Sequence, residues 1–186
     1  MATAKTGSFY LTETIQIAAG AANGTRVQGS IDLGAYVNVA TGQAIAVESV
    51  DFIHQFTNDY GGNVCSALTG NGAITEQLTD LNPGTAFVRA DDQSLIASGS
   101  LNIDDTNNVA SHVSDLYPDN FGPSALSEAF MVVNDTMYLV GGIDTCNPAS
   151  TALGDIFVTA RIRCRVVKLG TKDWMAIAIQ STASDN

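Results

Sequence analysis

The stretch DIFVTARIRCRVVKLG (residues 155–170) alternates apolar and polar side chains along most of its length. In an extended chain successive side chains point to opposite faces. Ile156, Val158, Ala160, Ile162, Cys164 and Val166 therefore face one way. Phe157, Thr159, Arg161, Arg163, Arg165 and Val167 face the other. The period of two marks a β-strand with a core face and an arginine-bearing face. At roughly 3.3 Å per residue a strand of about 13 residues spans roughly 43 Å, enough to cross a domain from rim to rim.

The same period recurs on both sides of this strand. TRVQGSIDL (25–33) sets Val27, Gly29, Ile31 and Leu33 against Arg26, Gln28, Ser30 and Asp32. AIAVESVDFIHQF (44–56) runs Ile45, Val47 and then Val50, Phe52, His54, Phe56. The slip at Glu48–Ser49 reads as a β-bulge, one extra residue that restores the apolar face after a register change. FYLTETIQIA (9–18) and SLIASGSLNI (94–103) are further strands, with shorter ones near 74–78 and 85–90. FMVVNDTMYLV (130–140) is either one long strand or a hairpin turning at Asn134–Asp135. WMAIAIQS (174–181), after the loop KLGTKD, reads as an antiparallel neighbour of 155–168.

Helix signals are few: GPSALSEAF (122–130), with Pro and Ser at its start, and NVASHVSDLY (108–117). Gly, Asn, Asp and Pro clusters separate the strands, and no βαβ rhythm or internal repeat is present. Eight to nine strands so spaced predict an all-β antiparallel sandwich or barrel. The chain of 186 residues is expected to form one domain over 8–181, with a loose arm at 1–7 and a tail at 182–186. No run reaches the roughly 18 apolar residues of a membrane span, and the start lacks an apolar signal core. A soluble, unprocessed chain is expected.

The formal net charge is −11. Free nucleic acid, which needs a basic surface, is not an expected direct partner. Aspartate outnumbers glutamate fifteen to four, and Lys5, Lys168 and Lys172 are the only lysines. Such a surface fits concentrated salt, where a Debye length of about 3 Å at 1 M screens self-repulsion. It also fits an acidic protein in ordinary salt. The positive charge is concentrated: residues 161–172 hold five basic groups and no acid, whereas 33–160 hold fifteen acids and Arg89 alone. Arg161, Arg163 and Arg165 either pair with carboxylates on neighbouring strands or meet an acidic surface of another subunit. The second reading makes these three a candidate subunit interface.

No catalytic, cofactor or metal site is expected. His54 falls on the inward face between Phe52 and Phe56 and reads as a packed core residue; His112 falls in a polar loop or short helix. A cupin-type metal site on a β-barrel needs several clustered His and carboxylate ligands, and this chain is not expected to supply them. No G-x-S-x-G elbow appears. The doublets Asp91–Asp92 and Asp104–Asp105 read as solvated loop charge. The sequons at Asn23 and Asn134 read as chance. Cys164 is expected inside the core, whereas Cys65 and Cys146, both in Gly/Asn-rich loops, could be bridged or stay as two thiols.

The bulged strand 44–56, the late pair 155–179 and the loop-rich all-β layout resemble viral single jelly-roll capsid proteins. With the Asp-rich, lysine-poor balance, the chain is most similar to the smaller major capsid protein of icosahedral internal-membrane archaeal viruses, the sphaerolipovirus type. The resemblance implies a single jelly roll without enzymatic activity or cofactor, located in the virion shell. It implies association with further copies and with a second, larger capsid protein into pseudo-hexameric capsomers. Spike proteins and an internal membrane are the other partners it implies. A carbohydrate- or ligand-binding sandwich is the alternative; its aromatic candidates are Tyr60, Tyr117, Phe121 and Trp174.

Overall fold

The structure, a computed structural model, describes residues 2–56, 64–116, 129–145 and 150–183. Its strands are β1 (Thr3–Ala4), β2 (Phe9–Ile17), β3 (Arg26–Asp32), β4 (Gln43–Phe56), β5 (Gly72–Thr79), β6 (Leu95–Asp104), β7 (Val109–Leu116), β8 (Phe130–Val132), β9 (Thr136–Thr145) and β10 (Ile156–Lys168). One helix, α1 (Thr171–Ala183), follows. All strand pairs are antiparallel. The first sheet runs β2-β10-β4-β8, with β1 beside β2 on the same edge of β10; the second runs β3-β9-β5-β6-β7.

The wiring follows a simple rule. The pairs β2·β10, β3·β9, β4·β8 and β5·β6 nest inside one another along the chain. Eight strands are thus one long folded-back ribbon rolled into two facing sheets, which is a jelly roll; β7 is an added strand beyond β6. The predicted all-β sandwich is the observed fold.

Periodicity decides what lies between the sheets. Ile156, Val158, Ala160, Ile162 and Cys164 of β10 are buried there. They meet Ile74 and Leu78 of β5 and Met137, Leu139 and Ile143 of β9 in the same core. The bulge stands where the sequence places it. Arg163 pairs with Ser49 and Cys164 with Val47, so Glu48 is the residue without an opposite number. Without that extra residue, Ile45 and Val47 would turn outward while Val50 and Phe52 stayed in.

Several expectations are corrected. Residues 174–181 lie in α1. Trp174, Ile177 and Ala178, at i, i+3 and i+4, cover a second apolar cluster of Ala44, Ala46, Val133, Val167 and Leu169 on the outer face of the first sheet. Met175 and Ile179 point away. Ala and Met favour helix, Trp174 N–H donates to the Gly170 carbonyl at 2.9 Å, and Asp173 sits in the first turn, where the dipole favours an acid. Residues 109–116, nearly all of the short helix expected at 108–117, are β7, because pairing with β6 along the whole length of β7 outweighs weak helix propensity. Residues 130–140 are neither one strand nor a hairpin: β8 belongs to the first sheet and β9 to the second, and 133–135 carry the chain across. Residues 85–90 form no strand; Gln77 holds Val88 by bonds to its N–H (2.8 Å) and carbonyl (2.9 Å). The expected loose arm is docked: Thr3–Ala4 pair with Lys168–Val167, and Lys5 N–H donates to the Val166 carbonyl at 2.8 Å. The unpaired edge of β10 beyond β2 recruits it. The helix expected at 122–130 falls largely outside the described residues.

Candidate functional site

β10 is an interior strand, flanked by β2 and β4, so its outer face lies flat in the sheet rather than at an edge. Arg161, Arg163 and Arg165 project from that face, as their register requires. Each is braced by a neighbour. The Arg161 guanidinium lies 4.4 Å over the Tyr10 ring, a cation–π contact. Arg163 Nε is 3.1 Å from Glu48 Oε2, and Arg165 pairs with Glu48 Oε1. Ser8 Oγ donates to the same carboxylate at 2.8 Å. The bulge therefore has an electrostatic consequence: the extra residue it inserts is the one that bridges two arginines. Intramolecular pairing and outward display coexist, since Arg163 keeps 45% of its side chain exposed.

Beneath this face, burial pushes the Cys164 thiol up to about 12, helped by the Glu48 charge. It is an inert core thiol. Cys65 is buried in the turn Val64–Ser66, and Cys146 lies outside the described residues, as do Tyr60, Tyr117 and Phe121. Trp174 packs on the sheet through α1 rather than standing at a strand rim.

Sequence reasoning missed a polar cluster between the sheets. His54 of β4 and His112 of β7 are the two histidines of the chain, and they meet at Glu76 of β5. His54 Nε2 is 3.0 Å from Glu76 Oε2, and His112 Nε2 is 3.6 Å from Glu76 Oε1. The imidazole rings are 5.1 Å apart, edge to face. Glu76 is fully buried. The available signal was its place in Ile74-x-Glu76-x-Leu78, a charge on an apolar register. His112 is unreadable as a partner from its own segment, whose local pattern is that of a loop or short helix.

A second buried acid, Asp80, closes β5. Burial, with the Asp92 charge adding, pushes its carboxyl up to about 7, against hydrogen bonds from its own backbone and Asn134. Asn134 Nδ2 donates to the Asp80 carbonyl at 2.9 Å, so this sequon asparagine is engaged inside the fold. The acidic doublets serve turns. Asp92 accepts from Ser94 N–H and Oγ at 2.9 and 2.7 Å, and Asp104 accepts from Asn107 N–H and Nδ2 at 3.1 and 2.6 Å. Those Asn107 bonds hold the Asp104 carboxyl below its usual range.

No protein-family model matches the chain, and no curated protein matches its sequence. Solved structures of viral chains are similar at low identity. A chain of turnip yellow mosaic virus is 10% identical, with 90% of this chain and 86% of that one covered and a TM-score of 0.33. For desmodium yellow mottle tymovirus the figures are 9%, 89%, 91% and 0.33. VP1 of trichodysplasia spinulosa-associated polyomavirus, solved with sialylated glycooligomers, is 8% identical over 89% and 98% of the two chains, with a TM-score of 0.36. The strand pairing itself assigns the fold.

Proposed function

We propose that this protein is a structural subunit of a virion shell, a capsid protein that works through its side walls and carries out no catalysis. The observation that carries the reading is the outer face of the first sheet of a jelly roll, where Arg161, Arg163 and Arg165 are held in place by Tyr10 and Glu48. Ordering three long side chains in advance lowers the entropic cost of docking an acidic surface. Guanidinium groups suit bidentate contact with carboxylates. The rest of the chain is strongly acidic, so another copy, or a second and larger capsid protein, supplies a complementary wall.

In the full proposal these contacts build pseudo-hexameric capsomers above an internal membrane, in a virus of a salt-loving archaeal host. Spike proteins attach to the shell, and the genome is not touched directly. The Asp-rich, lysine-poor charge balance supports the saline setting. The sugar-binding alternative loses its rim tryptophan, because Trp174 belongs to a helix packed on the sheet.

The test is Arg161→Glu, followed by sedimentation and electron microscopy of the protein alone and with its shell partners. Arg161 is exposed on the strand, so the variant is expected to fold, with a thermal midpoint lowered by only a few degrees through loss of the Tyr10 contact and the new Glu opposite Asp51. Assembly into capsomers is expected to be lost. Unimpaired assembly by a folded Arg161→Glu protein would remove the arginine face from the interface. A wild-type chain that stays monomeric with every shell component present would remove the capsid reading.

A further inference from the structure

We propose that His54, Glu76 and His112 form a binding site for one divalent transition-metal ion of the zinc class, clasping the two sheets together. His54 comes from the first sheet; Glu76 and His112 come from the second. Their ligand atoms all lie within 4.8 Å of one another. A tetrahedral ion bound about 2.0–2.1 Å from each donor holds its ligand atoms about 3.3 Å apart. The two histidine–glutamate distances, 3.0 Å to Oε2 and 3.6 Å to Oε1, are of that order, and side-chain adjustment within the 4.8 Å cluster draws the three donors onto one ion.

Two independent features make this a built site rather than a chance meeting of polar groups. First, Glu76 Oε1 is buried with no hydrogen-bond partner. The His112 imidazole nitrogen, at 3.6 Å, is too distant to donate well. A fully buried carboxylate oxygen left in that state is costly, and a cation placed between the three donors satisfies it. Second, the path of Glu76 depends on a missing side chain. β6 separates β5 from β7, and Gly99 of β6 is paired with Glu76. A Cβ on Gly99 would stand 2.3 Å from Glu76 Oε1 and 2.9 Å from Phe52 Cδ2. The glycine lets the glutamate lie across the intervening strand towards His112.

Donor chemistry sets the class of ion. Two imidazoles and one carboxylate suit Zn2+, Co2+, Ni2+ or Fe2+, whereas Ca2+ and Mg2+ prefer all-oxygen shells. His112 is 36% exposed and Glu76 is not exposed, so the cluster opens towards solvent on the β7 side. A water molecule completes the coordination there. The clasp is structural and independent of the shell reading.

The experiment uses the full chain, stripped with a chelator, titrated with Zn2+ and separately with Co2+. One ion per chain is expected, with visible Co2+ bands of a four-coordinate site and no thiolate charge-transfer band, which separates this site from the cysteines. Zn2+ is expected to raise the thermal midpoint by about 5 °C or more, as a ligand selective for the folded state must; Mg2+ is not. His112→Ala, at the exposed ligand, keeps the fold and is expected to lose at least about tenfold in affinity. Three results would each overturn the site: no uptake by the wild type, uptake that His112→Ala leaves intact, or imidazole NMR signals that follow pH and ignore Zn2+. The last would identify a proton-linked His–Glu–His network instead.

Discussion

Glu48 reaches Arg163 at 3.1 Å and also pairs with Arg165, two residues further along β10, because β4 carries one residue more than its neighbour at that level. A carboxylate in strict register would face a single cross-strand partner. Here the bulge makes one acid serve two bases, with Glu48 only 12% exposed.

Substitution and deletion at this position should therefore behave differently. Glu48→Gln leaves two arginines without their counter-charge and is expected to cost about 1–3 kcal/mol, between exposed and buried ion pairs. Deleting Glu48 closes the bulge and turns Ile45 and Val47 out of the core. That variant is expected not to fold. Urea denaturation of the first and circular dichroism of the second check both outcomes; equal, mild effects would show that the bulge does not set the register.

Asp80 gives stability a pH dependence of defined sign. Its folded pKa of about 7 stands above the ordinary value of 3.8, so between those pH values the folded state holds a proton that the unfolded state has released. The associated stability is fully present below about pH 4 and is lost as pH climbs through 7, by up to roughly 4 kcal/mol. Asp80→Asn is neutral throughout. Its thermal midpoint is expected to match the wild type near pH 4 and exceed it at pH 8; a constant difference across that range would refute the assignment.

The face of α1 is set by helical rather than strand phase. Ile177→Asp is expected to cost about 2–4 kcal/mol by putting a charge against Val167 and Leu169. Met175→Asp, on the open face, is expected to stay within about 0.5 kcal/mol. A strand would place residues 175 and 177 on one side and make the two substitutions alike. Chemical denaturation of both variants decides it.

Cys164, with its thiol raised to about 12 and its side chain in the core, is expected to resist alkylation in the folded protein at pH 8 and to react once unfolded. Peptide mass spectrometry after a timed iodoacetamide pulse reads this directly. Prompt native labelling would mean that β10 opens locally.

The parts of this fold that could be read from sequence are those where one periodicity dominates. β10 and β4 declared both faces and the bulge, because each alternates over many residues and a slip is visible against a long run. Residues 174–181 alternate and also satisfy i, i+3, i+4, and a short Ala/Ile/Met segment cannot choose between the two; the apolar outer patch at Ala44, Ala46 and Val167 chose for it. The sheet change at 133–135 was illegible because a crossover and a tight turn use the same residues, and only the partners of β8 and β9 tell them apart. The arginine face was legible as a row, but not its support from Tyr10 and Glu48. The His54–Glu76–His112 cluster joins three strands distant in the chain, and no local window contains more than one member.

The first sheet has different backing at its two ends. From Val166 to Leu169 the chain is sandwiched between core and helix, whereas around Thr159–Arg163 one side meets solvent. β10 is thus covered on both faces at its C-terminal end, while over Ile156–Cys164 β2 and β4 hold its two edges and the core backs one face only. Any molecule that meets the arginines must therefore dock beside α1, on the stretch of the outer face that the helix leaves uncovered.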